Sequence, residues 1–351
     1  MRREVALAGA AAAVVAIGVI GFSLGRVFTG AEEVKLVAPS KVAESELVTG
    51  SISVRPASAQ SPAPSPAGLR PPAGATALVA NGRASAAVAP RQECTNPDAL
   101  GVSRVVEIDT TGGPGFGLEQ FKAHDFLRDN EVVLTFDDGP WPVNTPAVLK
   151  ALAAQCTKAM FFPIGKHSMW HPEILRQVAA GGHTIGSHTW SHANLVKLNI
   201  DQAKEEFEKG ASAVRVALGE QGASFFRFPG LRNPPEMVAY LGERNFGIFS
   251  IDVDSFDFRT SKPEKVIDSV MSKLKKRGKG VVLLHDFQRS TSLALPALLA
   301  QLRADGYKVV HVKGKEPAKT LPEYDQALLK ESGGAIVSAQ STSSIVRTVQ
   351  D

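Results

Sequence analysis

The feature that most restricts this chain's fold is a repeated alternation of short apolar runs and amphipathic segments between about residues 130 and 311. Glu131–Phe136 (EVVLTF) is a nearly continuous, β-branched run, as expected of a strand covered on both faces. Thr145-Pro146 then opens a helical pattern that continues to Gln155, with proline at the first helical position, where its missing N–H is not needed. The alternation recurs. Further strands are predicted at Ala159–Ile164, His183–Gly186, Ser224–Phe228, Phe246–Ile251, Gly280–Leu284 and Tyr307–His311. Helices are predicted at Pro172–Ala180, Asp201–Leu218, Pro234–Arg244, Pro263–Arg277 and Leu293–Ala304. Seven strands with helices between most of them indicate a parallel α/β domain. Spacing alone leaves an open doubly wound sheet and a closed barrel as alternatives. In either, reactive groups gather at the carboxyl ends of the strands.

The flanks differ in kind. Residues 1–30 hold Arg2-Arg3 followed by an uncharged run from Val5 to Gly25. At about 1.5 Å per residue that run spans a hydrocarbon core of about 30 Å. The arginines would stay inside, placing the remainder across the membrane as an anchored protein. A cleaved signal segment ending near Thr29-Gly30-Ala31 is the alternative, and would leave a secreted one. Both put the chain in the cell envelope, on the periplasmic or extracytoplasmic face. Residues 31–90 are rich in Ala, Pro, Ser and Val with almost no aromatics, the composition of a disordered tether. Residues 91–129 form an ordered N-terminal extension, 130–315 the main domain, and 316–351 a C-terminal tail.

With 44% hydrophobic and 21% charged residues, the 351-residue chain can bury a large core. Its formal charge of +4 is mild, and no basic run is interleaved with aromatics, so no nucleic-acid partner is indicated. The basic cluster Lys273–Lys279 ends a helical pattern, where cations complement the helix dipole. The two cysteines, Cys94 and Cys156, exclude a cysteine-rich zinc motif. A disulfide between them and two unrelated buried thiols are both open readings.

Polar residues follow the strands at five places: Asp137-Asp138, then His188 and His192, then Arg227, then Asp254 and Asp257, then His285-Asp286. Any one of them is explained by a helix cap or a turn. Their joint placement on one rim is not. His188 and His192 are four residues apart, so on a helical turn they would share one face, a spacing suited to a divalent metal. Two histidines with one carboxylate and an open position describe a catalytic zinc-type site. Of the adjacent aspartates, one can bind metal while the other serves as general base. His285 is a candidate general acid, with Asp257 to hold its ring and Arg227 to orient the basic aspartate.

These segments resemble those of the NodB-type polysaccharide deacetylases, carbohydrate esterase family four. The family's TFDDG stands here as Thr135-Phe136-Asp137-Asp138-Gly139, and its H-S/T-x-x-H as His188-Thr189-Trp190-Ser191-His192. Its R-x-P-Y appears as Arg227-Phe228-Pro229-Gly230, its D-S-x-D-W as Asp254-Ser255-Phe256-Asp257-Phe258, and its L-x-H as Leu283-Leu284-His285. All five occur in family order over roughly residues 130–312. The resemblance implies a deformed (β/α) barrel of about seven strands and a metal-dependent hydrolase. It implies Asp137 as general base, Asp138, His188 and His192 as ligands of a divalent metal, zinc first with cobalt as alternative, and His285 as general acid tuned by Asp257. Arg227 supports the base, and Gly230, Phe258 and Leu283 face the substrate.

Two departures bear on the substrate. Gly230 stands where the family has tyrosine, and Phe258 where it has tryptophan, keeping an apolar wall but not the indole N–H. The expected substrate is a glycan bearing N-acetyl groups, in peptidoglycan or chitin-like oligomers. An O-deacetylase of the same fold and a non-catalytic glycan-binding module are the alternatives. A zinc protease is disfavoured, because no His-Glu-x-x-His segment occurs. Trp141 and Trp170 are candidates to stack on sugar rings, with packing as the alternative, whereas His167 and His171 read as surface-loop residues.

Overall fold

The computed structural model describes Cys94 and residues 96–219 and 222–333. The expected anchor, the tether and the end of the tail lie outside the described residues. Among those described, no helix is long and apolar enough to cross a membrane.

Every predicted strand forms, and the pairings show how they close. The hub is β3 (Glu131–Asp137), which pairs along one side with β9 (Gly280–His285) from Val132 to Asp137. Its other side is shared. β10 (Lys308–Gly314) takes the first two residues, and β4 (Met160–Phe162) takes the last three. β4 pairs with β5 (Thr184–Ile185), and just beyond it Ser187 bridges to Phe226 of β6 (Phe225–Phe226). β6 pairs with β7 (Gly247–Phe249); the chain runs on into β8 (Val253–Asp254), which pairs with β9. The ladder thus returns to β3, and every pairing is parallel. This is a deformed barrel, interrupted where residues 250–252 change partners, rather than an open doubly wound sheet.

The extension adds two strands that the apolar pattern did not indicate. β1 (Arg104–Ile108) pairs with β10, and β2 (Gly115–Phe116) pairs with β7. β1 lies at a sheet edge with alternate side chains exposed, and β2 has only two residues, so neither forms a continuous apolar run. Cys94 and Cys156 are joined in a disulfide, with Cα atoms 5.7 Å apart, tying the start of this extension to the end of α1 (Asn144–Ala154).

Alternation along the strands separates two environments. Val133, Met160, Phe162, Phe225, Phe249 and Val281 form one cluster with Val310 and Val312 of β10. The intervening residues Val132, Leu134 and Phe136 pack instead on α1, α6 (Pro263–Arg277) and α7 (Arg289–Ala304). Phe226 and Ile248 pack on α4 (Ile200–Leu218) and α5 (Pro235–Glu243), and α3 (Pro172–Ala180) contributes Leu175 there. Each side chain buried this way is worth about 1.5–3 kcal/mol relative to exposure. Two helices escaped the sequence reading. α2 (Gly165–Trp170) is short, and α8 (Pro322–Glu331) falls within the segment read as a tail. α8 has little apolar character of its own; Leu328 is buried against Ala213 and Val216 of α4, and Arg215 pairs with Asp325 at 3.1 Å.

Candidate active site

Asp137 ends β3, and Asp138 turns out of the strand with φ 74°, so the two carboxylates leave in different directions, as their adjacency suggested. Asp138 is brought to His188 and His192, with each Nε2 3.5 Å from its Oδ1. The histidines lie in the loop after β5 rather than on a helical turn, which corrects the expected geometry. Thr189 and His192 adopt φ of 64° and 60°, conformations incompatible with a helix. Side-chain convergence therefore comes from the loop's path. That path depends on Gly210 in the middle of α4, where a Cβ would collide with the Thr189 backbone. Gly210→Ala gains about 1 kcal/mol of helix propensity but meets immovable backbone, where overpacking costs about 1–3 kcal/mol. We expect a lower Tm together with weaker metal binding, read by thermal denaturation and metal titration.

The donor set fits a divalent cation. Asp138 Oδ1 is buried and has no hydrogen-bond partner although it faces two imidazoles. One ligand atom from each of Asp138, His188 and His192 lies within 4.8 Å of the others. His188 Nδ1 donates to the Arg227 carbonyl at 2.7 Å, which leaves Nε2 as the free lone pair. Burial pushes the His188 pKa down against the pull of Asp137 and Asp138, favouring the neutral form that a ligand needs. His167, read from sequence as a surface-loop residue, is instead half-buried in α2 and donates from Nδ1 to the Asp138 carbonyl at 2.6 Å.

Arg227 is fully buried within the barrel. Its Nη1 donates to Thr135 Oγ1 (2.8 Å) and Asp137 Oδ1 (2.7 Å), and its Nε and Nη2 donate to the carbonyls of Phe249 and Ser250. The guanidinium stacks 4.4 Å from the Phe162 ring centroid. Besides Asp137 it touches β3 at Thr135, β4 at Phe162 and the end of β7 at Phe249 and Ser250, so the position of Asp137 is set by the barrel itself.

On the same rim, directly beside Asp137 in the β3–β9 pairing, His285 ends β9, with Nε2 3.9 Å from Asp138 Oδ2. Its Nδ1 donates to Asp257 Oδ1 at 2.7 Å, and its backbone N–H donates to Asp257 Oδ2 at 2.7 Å. Asp257 is fully buried and also accepts a short hydrogen bond from Thr291 in α7. Burial alone would push the His285 imidazole down. The hydrogen bond to Asp257 and the charges of Asp257, Asp138 and Asp137 outweigh it and lift the pKa to about 9. The neighbouring Asp286 turns away from the cavity. Its buried carboxyl accepts from Gly139 N (3.1 Å) and Thr145 Oγ1 (2.5 Å), tying β9 to the loop after Asp138.

Asp137, Asp138, His188, His192 and His285 share a cavity of about 380 Å³ with Gly230, Phe258 and Leu283. Gly230 sits at φ 60° with open space where a side chain would project, so the cavity is wider where tyrosine is missing. Phe258 is 48% exposed at the mouth, edge-on to His285 with centroids 5.6 Å apart. Arg227 and Asp257 stand behind this wall. Phe228, Leu231 and Phe287, which the sequence reading did not single out, complete the apolar lining with Leu283. Only proximity to the motifs marked them. Trp141 and Trp170 do not line this cavity; with His167 they form a separate aromatic group, centroids 5.1 and 5.2 Å from that histidine.

The chain matches the polysaccharide deacetylase family over residues 126–246, a span that includes Asp137, Asp138, His188, His192 and Arg227. It is 31% identical over 185 residues to a peptidoglycan-N-acetylglucosamine deacetylase of Bacillus cereus, covering 51% of this chain and 66% of that protein. It is 32% identical over 163 residues to a chitooligosaccharide deacetylase of Azorhizobium caulinodans, covering 45% of this chain and 75% of the relative. A solved peptidoglycan deacetylase of Bdellovibrio bacteriovorus superposes with a TM-score of 0.55 at 35% identity, over 61% of this chain and 59% of the other. The chain therefore spans less than two thirds of the Bacillus and Bdellovibrio proteins. The residues that meet in the cavity, the parallel barrel and these likenesses agree: the chain belongs to the polysaccharide deacetylase family.

Proposed function

We propose that this protein hydrolyses the acetamide of N-acetylglucosamine units in a cell-envelope glycan, releasing acetate and a free amine on the sugar. The observation that carries the reading is the opening of three groups on one cavity: a His/His/Asp ligand set, a carboxylate beside it, and an acidic imidazole across from it. Asp138, His188 and His192 would hold a divalent cation, zinc by its preference for imidazole and carboxylate, with cobalt as a substitute. When bound, the ion supplies a Lewis acid for the acetyl carbonyl and acidifies a nearby water.

The chain's own residues do the rest. Arg227 occupies Oδ1 of Asp137, leaving Oδ2 to take the proton of the attacking water. The water oxygen bonds to the acetyl carbon, the C–N bond breaks, and His285 protonates the departing nitrogen through Nε2. Asp257 fixes the tautomer by holding Nδ1–H. Gly230, Phe258 and Leu283 shape the space beside the acetyl group. The apolar segment at residues 1–30, the tether at 31–90 and the Cys94–Cys156 disulfide support a place on the outer face of the membrane.

The test is acetate release by the whole metal-loaded chain from chitooligosaccharides, peptidoglycan and acetylxylan. Release from the first two supports the N-deacetylase; none from any, with metal demonstrably bound, refutes the enzyme reading. A pH profile tests the roles. His285 must be protonated to act, and its raised pKa keeps the acid form present below about 9 and loses it above. Asp257→Asn removes the anion that offsets burial, so the alkaline limb of kcat should move to lower pH. An unmoved limb would show that His285 is not the acid.

A further inference from the structure

A second concavity adjoins the active-site cavity across Phe258, whose ring lines both. It has a volume of about 390 Å³ and is lined by Phe258, Arg259, Thr260, Ser261, Gln288, Arg289 and Ser290. Two arginines and four hydroxyl or amide side chains thus line one opening, and no carboxylate lines it. Among the described residues neither Arg259 nor Arg289 forms an ion pair, whereas Arg104, Arg215, Arg227, Arg244, Arg277 and Arg303 do.

Both arginines are placed by the network that orients His285. Arg259 ends the short turn Asp257–Arg259, and its guanidinium lies over Phe256 (4.5 Å) and Phe258 (5.2 Å). Arg289 begins α7, whose next residues, Ser290 and Thr291, bond to the Asp257 carbonyl and carboxylate. The backbones carrying the two cations are therefore stapled together through Asp257, at a set position relative to the acid. Guanidinium pairs are suited to planar, bidentate recognition of carboxylates.

We infer that this concavity is a carboxylate subsite, selecting glycans that carry an acid group on a sugar next to the one deacetylated over neutral chitin-like chains. The inference rests on the deacetylase reading for its substrate and sharpens it. In peptidoglycan the carboxylate has two mutually exclusive sources, the lactyl group of a muramic sugar without peptide and the stem peptide where the lactyl carboxyl is taken up in its amide, and both present the same chemistry.

The experiment compares kcat/KM of the full metal-loaded chain on three probes: neutral chitooligosaccharides, peptidoglycan glycan strands stripped of peptide, and strands retaining it. Preference for the stripped strands alone names the lactyl group, preference for the peptide-bearing strands alone names the stem, and preference for both over the neutral oligomers shows that either carboxylate is accepted. Arg259→Ala/Arg289→Ala should lower the anionic-to-neutral ratio by about tenfold, as expected for two exposed ion pairs. Arg259→Glu/Arg289→Glu should lower it further, and raising the salt should shrink the wild-type preference. A ratio unchanged in both variants, or insensitive to salt, overturns the subsite. If no probe releases acetate, the deacetylase reading fails on its own. Calorimetric binding of the same three probes to the same variants then decides the subsite by the same ratio.

Discussion

Asp137→Asn is expected to lower kcat by about 10²- to 10⁴-fold, the range for loss of a general base, while the protein still binds its metal. The expectation follows from the division between adjacent carboxylates. Asp138 Oδ1 faces His188 and His192 at 3.5 Å from each, whereas Asp137 is held by Arg227 at 2.7 Å with its Oδ2 3.8 Å from His188. Asparagine keeps the size and an acceptor for Arg227 but cannot take a proton. His188→Ala should do the reverse, losing metal affinity first and turnover as a consequence. Metal titration beside acetate release separates them. Should Asp137→Asn shed the metal, the two aspartates have been given each other's roles.

Arg227→Met should cost about 3–5 kcal/mol of stability, the usual result of removing one partner of a buried ion pair. Methionine fills much of the volume but leaves Asp137 desolvated at 3% exposure and opens the carbonyls of Phe249 and Ser250. A charge this deep cannot be hydrated by a small local shift. Thermal and chemical denaturation read the loss directly. The double variant Arg227→Met/Asp137→Asn should recover part of it, because the unpaired charge is gone. Full additivity of the two single changes would mean that the pair contributes no coupling. Arg227 also holds His188 through its backbone carbonyl, and that contact survives the substitution, so metal binding at low temperature should persist.

The two departures from the family pattern acquire different meanings in three dimensions. Gly230 leaves open space in the cavity lining, with no other side chain filling the place of the tyrosine. Phe258 does more than stand in for an indole. It forms the partition between the cavity of the His/Asp cluster and the arginine-lined one, and is 48% exposed there.

The chain's local chemistry by itself determined the parallel α/β architecture, because buried strands must be continuous apolar runs and the helices between them must be amphipathic. It also determined which residues stand at strand ends, since Asp137-Asp138, Arg227 and His285 each follow directly on such a run. It did not determine closure of the barrel, which depends on residues 250–252 passing from one neighbouring strand to another. Nor did it show β1, β2 and α8, whose stability comes from partners distant in sequence and not from their own periodicity. The His188/His192 pair is the clearest division between the two levels. Its spacing suggested a helical face, whereas the structure brings the two imidazoles to Asp138 from a loop. Tertiary packing of α4 at Gly210 and the Arg227 carbonyl aims those imidazoles at Asp138, and pattern along one chain carries no record of contacts made across forty residues.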